Sequence, residues 1–249
     1  MKHSLIVGGT KGTGRAIARM LANEGHRVSV IARTNPIDGT SVSDNPVLYM
    51  QADLVKDGIS PLLDSIIDKN GPVNYVVFCQ RFRGKENDWD NEIRISLTAT
   101  KNIIDYLAEK PERLSRDDKS VVMISSIASR MVICQQPLSY HMAKAGMETL
   151  VNYYSVILAS KGVRFNAIIP GTLVKEESRE FYEKNPALKS LYTDNIPLGR
   201  MVTTEDIANL VDFLCSEKSA LLTGQKIILD GGISLIGQES LLLTRFNHK

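Results

Sequence analysis

Cysteine and histidine are both scarce in this sequence of 249 residues. The three cysteines are odd in number and widely spaced, which matches neither a disulfide framework nor a zinc-binding pair. The four histidines form no cluster with the spacing of metal ligands, so we predict no metal site. This pattern favours the reducing environment of the cytoplasm. The positions concerned are Cys79, Cys134, Cys215, His3, His26, His141 and His248.

The sequence also lacks an excess of charge of either sign, and it lacks long apolar runs. Lysine and arginine total 30 against 28 aspartate and glutamate residues, and the two signs are interspersed. A net charge of +2 gives no basic field for nucleic acid or anionic lipid. No stretch reaches the roughly 18 apolar residues of a membrane-spanning helix, and the first residues read as a strand rather than a cleavable signal. We therefore expect a soluble cytoplasmic protein with no nucleic-acid or membrane partner.

Internal repeats, low-complexity tracts and flexible linkers are absent as well. With 43% hydrophobic residues, the chain can bury a large core. Chains of about 250 residues with α/β folds often form a single unit. We therefore predict one domain over residues 1–249.

What the chain does have is a regular alternation of short apolar runs and amphipathic stretches. The runs are typical of strands buried on both faces, and the stretches between them, such as Gly14 to Glu24, have helical periodicity. The pattern predicts an α/β fold: a doubly wound parallel seven-stranded sheet whose ligands bind at the carboxyl ends of its strands. The predicted strands are Leu5 to Val7, Val28 to Ala32, Val47 to Met50, Tyr75 to Cys79, Val121 to Ile124, Val163 to Ile169 and Lys226 to Leu229.

A glycine-rich segment, VGGTKGTG, lies between the first predicted strand and the first predicted helix. Glycines here allow a tight turn and a close approach of the backbone to a pyrophosphate at the helix N-terminus. The alternative is a plain tight turn, which the position between strand and helix disfavours. The segment predicts a dinucleotide site whose cofactor-binding residues are Gly8, Thr10, Lys11, Gly12, Thr13 and Gly14.

The residues at the end of the second strand favour NADP over NAD. Ala32 and Arg33 stand where a fold that prefers NAD usually places an acidic residue for the ribose 2′-hydroxyl. An arginine fork can pair with a 2′-phosphate, and Lys11 adds a second positive charge. Both side chains could instead be solvated surface cations. After the third strand, Asp53 is a candidate for the adenine amino group, with capping of a turn as the alternative.

Tyr140 and Lys144 are four positions apart at the start of a predicted helix, so both side chains lie on one face. A tyrosine beside a lysine charge can become a usable proton donor. Tyr106 and Lys110 have the same spacing, but they lie late in a helix that runs into a charged turn. The position of Ser126 favours the pair Tyr140 and Lys144 over the other pair. Ser126 ends an apolar strand shortly before Tyr140, so its side chain should face the ligand edge.

Together these features resemble the short-chain dehydrogenase/reductase family, over nearly the whole chain. Within that family the sequence is most similar to the 3-oxoacyl-carrier-protein reductases and their relatives. The remaining matches occur in family order at Asn166 to Thr172 (NAIIPGT), Pro197 to Arg200, Glu205 to Ala208, Leu222 to Gln225 and Leu229 to Gly232.

The resemblance implies an oxidoreductase that reduces a carbonyl with NADPH or oxidises the corresponding alcohol. It implies that Ser126 holds the substrate oxygen, that Tyr140 donates the proton, and that Lys144 supports the tyrosine while binding the nicotinamide ribose. The resemblance also implies that Pro170, Gly171 and Thr172 lie beside the cofactor.

Two departures from the family pattern favour a rival interpretation. Phe78 to Arg81 stand where the family usually has Asn-Asn-Ala-Gly, and Ser96 replaces an asparagine that holds a water in the proton path. The rival is a catalytically weak, NADP-binding regulatory or interaction protein on the same fold. A sugar-nucleotide epimerase is disfavoured, because it needs a substrate domain for which 249 residues leave little room.

Two further expectations concern the substrate. The segment from Thr172 to Asn195 follows the sixth strand and has the spacing of one or two short amphipathic helices, so we predict a substrate lid at about 172–195. A rigid surface helical pair is the alternative. Arg81 and Arg83 leave the fourth strand toward the same edge, which favours a small anionic substrate.

The two long predicted helices, about Asn91 to Glu109 and Ser139 to Ser160, carry apolar residues on more than one face. That is more apolar surface than one sheet face needs, and the corresponding helices of family relatives pair across a two-fold axis. We therefore expect a homodimer or a homotetramer.

Overall fold

In the computed structural model of the chain, residues 1–35, 47–82, 84 and 89–247 are described. A parallel sheet of seven strands forms the centre of the molecule, and a parallel pair of two-residue strands lies apart from it. In chain order the strands are β1 (His3–Val7), β2 (Arg27–Ala32), β3 (Val47–Gln51), β4 (Tyr75–Phe78), β5 (Lys119–Ile124), β6 (Val163–Pro170), β7 (Leu173–Val174), β8 (Val202–Thr203) and β9 (Lys226–Leu229).

The order of strands in the large sheet is β3-β2-β1-β4-β5-β6-β9, and each neighbouring pair is parallel. The chain therefore starts near the middle, winds to one edge and then returns to wind toward the other. The two halves meet between β1 and β4, and ligands of doubly wound sheets bind in the crevice at that switch point. The predicted seven-stranded doubly wound fold is confirmed.

Helices cover both faces of the sheet, because alternate residues of each buried strand point to opposite sides. On β1, for example, Leu5 and Val7 pack with one core cluster and Ile6 packs with the other. The helices are α1 (Gly12–Asn23), α2 (Ile59–Asn70), α3 (Trp89–Ile93), α4 (Ala99–Glu109), α5 (Leu138–Ile157), α6 (Glu176–Lys184), α7 (Pro186–Thr193), α8 (Thr204–Leu214) and α9 (Gln238–Asn247). Buried residues of α1 and α8 fill one side of the sheet, and those of α2, α4 and α5 fill the other.

Two local features depart from the regular pattern that the sequence predicts. A π-helical turn, Arg94–Thr98, joins α3 to α4 inside what the apolar spacing predicts as one continuous helix. Strands β7 and β8 are paired at residues 173–174 and 202–203. Two-residue strands carry no alternation of their own, which explains why periodicity does not reveal them.

His3 lies buried at the start of β1, and both of its ring nitrogens have hydrogen-bond partners. Its Nδ1 donates to the carbonyl of Gly71 at 2.7 Å, and its Nε2 accepts from the Ser29 hydroxyl at 2.9 Å. Burial lowers the pKa of this imidazole from the ordinary value of 6.5. The unfolded chain therefore binds a proton more readily than the folded chain, so acid favours unfolding.

We expect the free energy of unfolding to fall as the pH drops below about 6.5, and His3→Gln should flatten that dependence. Urea unfolding between pH 5 and pH 8 measures both. Carboxyl groups with lowered pKa values change the free energy of unfolding only at lower pH. Asp206 is an example, because Arg200 lowers its pKa from 3.8 to about 2. An identical pH dependence in the variant would assign the effect to another group, of which His26 is a candidate because burial lowers its pKa too.

Candidate active site

The glycine loop occupies the crevice between β1 and β4 and leaves no room for side chains at two of its positions. A Cβ atom on Gly8 would lie 2.8 Å from the backbone nitrogen of Gln80, and one on Gly14 would lie 2.2 Å from the carbonyl oxygen of Gly8. Gly8 also has a φ of 88°, in the left-handed region that favours glycine. Gly12 and Thr13 open α1, with Lys11 as the residue before the helix. The turn therefore presents bare backbone and a helix N-terminus to the crevice, as binding of a pyrophosphate requires.

A cavity of about 380 Å³ begins at this loop and extends along the carboxyl ends of β2, β3 and β4. Its volume is within the range of ordinary small-ligand pockets, about 300–1,000 Å³. Of the predicted cofactor-binding residues, those that line it are Gly8, Thr10, Lys11, Arg33 and Asp53. A glycine loop, two cations and a cavity of this size fit the adenosine and phosphate portion of a nicotinamide dinucleotide.

Two of these residues have additional roles in the loops after β2 and β3. The Asp53 carboxylate accepts the backbone N–H of Val55 at 3.0 Å, so it caps its own turn while it lines the cavity. The backbone carbonyl of Arg33 accepts from the Gln51 side-chain amide at 3.1 Å, which fixes the backbone below an exposed guanidinium. The turn-capping alternative for Asp53 is thus present alongside its place at the cavity.

Tyr140 and Lys144 lie one turn apart on α5, with the lysine ammonium 5.6 Å from the centre of the tyrosine ring. Lys144 is 4% exposed, and its Nζ donates to the carbonyl of Ile124 at 2.8 Å. Burial lowers the pKa of Lys144, while the charges of Tyr140 and Glu92 act in the opposite direction. The lysine is thus a positioned cation whose backbone partner is the last residue of β5.

Ser126 follows the end of β5 and caps a short 3-10 turn, its hydroxyl accepting the backbone N–H of Ala128 at 3.2 Å. The hydroxyl is therefore held at the carboxyl edge of the sheet, the edge that carries the glycine loop.

His141, next to Tyr140, accepts the backbone N–H of Ile133 at 2.9 Å and donates to the carbonyl of Pro137 at 2.8 Å. Both ring nitrogens are therefore used to hold the loop before α5.

Arg81 brings a positive charge close to Tyr140. The sequence predicts Arg81 at this edge of the sheet but does not indicate its contact with the tyrosine. Its guanidinium carbon lies 5.0 Å from the centre of the Tyr140 ring, and the residue also lines the cavity. The loop after β4 therefore brings a second cation to the tyrosine, where the family pattern has glycine.

Cys79 lies in the same loop. Burial raises the pKa of its thiol to about 12, so this cysteine stays protonated and is a poor nucleophile.

A buried acid that the sequence pattern does not single out lies in α3, just before the π-helical turn. Glu92 is 4% exposed, and its carboxylate accepts from the Ser96 hydroxyl at 2.6 Å. The carbonyl of Ser96 accepts from Thr100, whose hydroxyl accepts from the Gln80 side chain at 2.7 Å. Ser96 is thus held in a buried polar network that reaches the loop after β4.

The last residue of β6 and the two residues after it are also predicted cofactor residues. Pro170 ends β6, and a Cβ atom on Gly171 would lie 2.8 Å from the Cβ of Asp230. The carbonyl of Thr172 accepts the backbone N–H of Val202 at 3.2 Å, next to the pairing of β7 with β8. The close approach of Gly171 to the loop after β9 is a packing reason for glycine at this position.

The predicted lid forms two short helices, α6 and α7, and the first of them contacts the glycine loop. The Glu177 carboxylate accepts the backbone N–H of Gly12 at 2.9 Å. Arg15, on α1, pairs with Glu176 at 2.7 Å and with Glu177 at 3.1 Å. These contacts join segments far apart in the chain, and no motif in the sequence indicates them.

A Rossmann-type sheet with a glycine loop at its switch point and a tyrosine–lysine pair at the same edge defines a dinucleotide-binding oxidoreductase. A family model described as enoyl-(acyl carrier protein) reductase matches residues 7–234. The chain belongs to the short-chain dehydrogenase/reductase family, whose members use nicotinamide cofactors.

Individual relatives match this chain over nearly their full lengths. The 3-oxoacyl-(acyl-carrier-protein) reductase FabG of Staphylococcus epidermidis is 29% identical over 246 residues, which covers 93% of this chain and 98% of that protein. An uncharacterized oxidoreductase of Schizosaccharomyces pombe is 28% identical over 253 residues, covering 96% and 92%. The crystal structure of a protein from Thermus thermophilus superposes with a TM-score of 0.80 at 25% identity, covering 94% of this chain and 99% of that one.

The described residues contain neither a metal-binding cluster nor a membrane-spanning helix. Over residues 1–35, 47–82, 84 and 89–247, the structure contains no group of three or more His, Cys, Asp or Glu side chains placed to hold a metal ion. None of the helices in that part of the chain is both long and apolar enough to cross a membrane.

Proposed function

We propose that this protein reduces the carbonyl group of a small anionic substrate with NADPH, or oxidises the corresponding alcohol. The observation that carries the proposal is the arrangement around Tyr140, whose ring has Lys144 at 5.6 Å and Arg81 at 5.0 Å. Two basic side chains beside one phenol can stabilise negative charge that develops in the transition state of proton donation. Arg81 adjoins both the tyrosine and the cavity, where it can also attract a negatively charged group of the substrate.

The roles of the catalytic residues follow from their positions. Ser126 would hold the substrate oxygen, Tyr140 would give it a proton, and Lys144 would stabilise the tyrosinate. A bound nicotinamide would supply the hydride. One well-placed donor to a developing alkoxide contributes about 3 kcal/mol, or roughly a hundredfold in rate.

The preference for NADPH is supported by the charges at the cavity. Lys11 and Arg33 are exposed at its edge, and β2 is followed by Arg33 rather than by an acidic residue. A guanidinium pairs with a phosphate through two parallel hydrogen bonds, which a hydroxyl does not match. The segment at 172–195 would act as the lid, since α6 already contacts the glycine loop.

The function is tested with a panel of matched acidic and neutral ketones, followed by NADPH absorbance and by cofactor titration. We expect turnover of the acidic members, and Arg81→Ala should raise KM for an acidic ketone more than for a neutral ketone of equal size. Equal responses would remove the preference for anions. The second predicted arginine, Arg83, lies outside the described residues. Tight NADPH binding without reduction of any ketone would favour the rival, a regulatory NADP-binding protein.

We also propose that the protein is a homodimer or homotetramer that pairs through α5. Most apolar residues that suggest this from the sequence, such as Met147 and Val151, are buried in the chain's own core. The outer face of the helix nevertheless has Tyr153, Val156 and Ile157, at 59%, 73% and 53% exposure. Apolar side chains grouped on one exposed helix face favour association with a second copy.

Light scattering at micromolar concentration should return a dimer or a tetramer, and Val156→Glu should shift it toward monomer, because the charge would be buried at the contact. Leu221→Glu is the matched control, since Leu221 is also exposed but lies on the loop before β9. A monomeric parent protein would exclude the assembly.

A further inference from the structure

The anion-binding end of α1 is already engaged by a side chain of the protein itself. Gly12 is the first residue of α1, and its backbone N–H donates to Oε1 of Glu177 at 2.9 Å. The first N–H groups of a helix have no partner within the helix, and the helix dipole gives this end a partial positive charge. Glu177 thus makes the interaction that a phosphate oxygen makes at a glycine loop.

Glu177 is held there as an anion. Burial alone would raise its pKa, but backbone N–H groups, that of Gly12 among them, and the charges of Arg15 and Lys175 outweigh burial and lower the pKa. The guanidinium of Arg15 lies 3.1 Å from the same oxygen that Gly12 contacts. The neighbouring Glu176 pairs with Arg15 as well, at 2.7 Å, and its side chain is 61% exposed.

A dinucleotide and Glu177 therefore need the same donor. The N–H of Gly12 has one proton to donate, and a pyrophosphate beside the carboxylate would place two anions in contact. Glycine loops of doubly wound folds receive the pyrophosphate at this helix N-terminus. Occupancy of the donor by Glu177 and by the cofactor should be mutually exclusive.

We propose that Glu177 is an internal competitor for the phosphate site, so that cofactor binding requires the start of α6 to release the glycine loop. This inference rests on the proposed use of a nicotinamide dinucleotide. The apparent affinity for the cofactor is then reduced by the fraction of molecules in which Glu177 holds Gly12. Release also removes both carboxylates from Arg15, whose guanidinium becomes available to the incoming phosphates. The lid and the cofactor site are thereby coupled in the absence of substrate.

The test measures the dissociation constant for NADPH by fluorescence titration in the parent protein, Glu177→Gln and Glu176→Gln. Glu177→Gln removes the competing charge at constant size and should tighten NADPH binding by about three- to tenfold. Glu176→Gln should change it by less than about twofold, because this side chain is an exposed partner of Arg15. A gain of affinity cannot result from a damaged fold, and circular dichroism checks that both variants are folded.

The outcomes separate this inference from the proposed function. If the parent protein binds NADPH and Glu177→Gln binds it with equal or lower affinity, the competition is wrong and the proposed cofactor stands. If all three proteins fail to bind NADPH and NADH, both ideas are wrong. Equal tightening in the two variants would mean that net charge at α6, and not the contact with Gly12, controls binding, and this too would overturn the inference. Inorganic pyrophosphate, titrated as a competitor of NADPH, should likewise bind more tightly to Glu177→Gln.

Discussion

Tyr140→Phe should reduce kcat for carbonyl reduction by a factor of about a hundred to ten thousand while leaving the affinity for NADPH nearly unchanged. The substitution removes only the hydroxyl that donates the proton, and the ring that contacts Lys144 and Arg81 is retained. Single-turnover NADPH oxidation measures the chemical step, and fluorescence titration measures binding. Substantial activity in the variant would refute the assignment of Tyr140.

The chain provides a matched control for this substitution. Tyr106 and Lys110 repeat the four-residue spacing, yet the hydroxyl of Tyr106 donates to Asp64 on α2, and the guanidinium of Arg113 lies 3.5 Å from its ring. Tyr106→Phe removes a hydroxyl whose partner is Asp64, and Tyr106 is not one of the residues that line the cavity. We expect it to leave both kcat and NADPH affinity at the parent values. A comparable loss in both variants would indicate a general effect of removing tyrosine hydroxyls.

The same contrast shows what the sequence could predict about the site. Spacing alone does not distinguish the two tyrosine–lysine pairs, but the position of Ser126 after an apolar strand favours Tyr140. In the structure Ser126 lies two residues after β5, and the Lys144 Nζ donates to the carbonyl of Ile124, the last residue of that strand. The doubly wound parallel sheet, and with it the binding of ligands at the carboxyl ends of the strands, follows from periodicity and from the handedness of crossovers. The order of the strands comes from the structure alone.

Contacts between distant segments could not be predicted in this way. Nothing in the sequence around Glu177 indicates that its carboxylate reaches Gly12, and nothing around Arg81 indicates that its guanidinium covers Tyr140. Such contacts depend on how loops and helix ends cross one another, which local periodicity does not encode. The π-helical turn that contains Ser96 is not predictable for a related reason, since it interrupts an otherwise regular apolar pattern.

Arg33→Asp should shift the preference of the protein from NADPH toward NADH. The substitution removes the cation proposed to pair with the 2′-phosphate, and it adds a carboxylate that repels the phosphate and can accept from a ribose hydroxyl. A charged hydrogen bond to phosphate is worth about 1.5–3 kcal/mol, so the ratio of the two dissociation constants should change by roughly ten- to a hundredfold. The Gln51 side chain holds the carbonyl of residue 33, so the loop backbone should be retained.

Arg116→Asp is the control, because it makes the same change in net charge on the loop before β5, at the opposite edge of the sheet. Titration of NADPH and NADH against the parent and both variants gives six dissociation constants at one ionic strength. Since long-range attraction of the phosphates acts on any cation, a nonspecific charge effect would weaken NADPH binding similarly in both variants. A local pairing predicts a changed ratio in Arg33→Asp alone. Equal affinity of the parent protein for the two cofactors would refute the proposed role of Arg33 and, with it, the preference for NADPH.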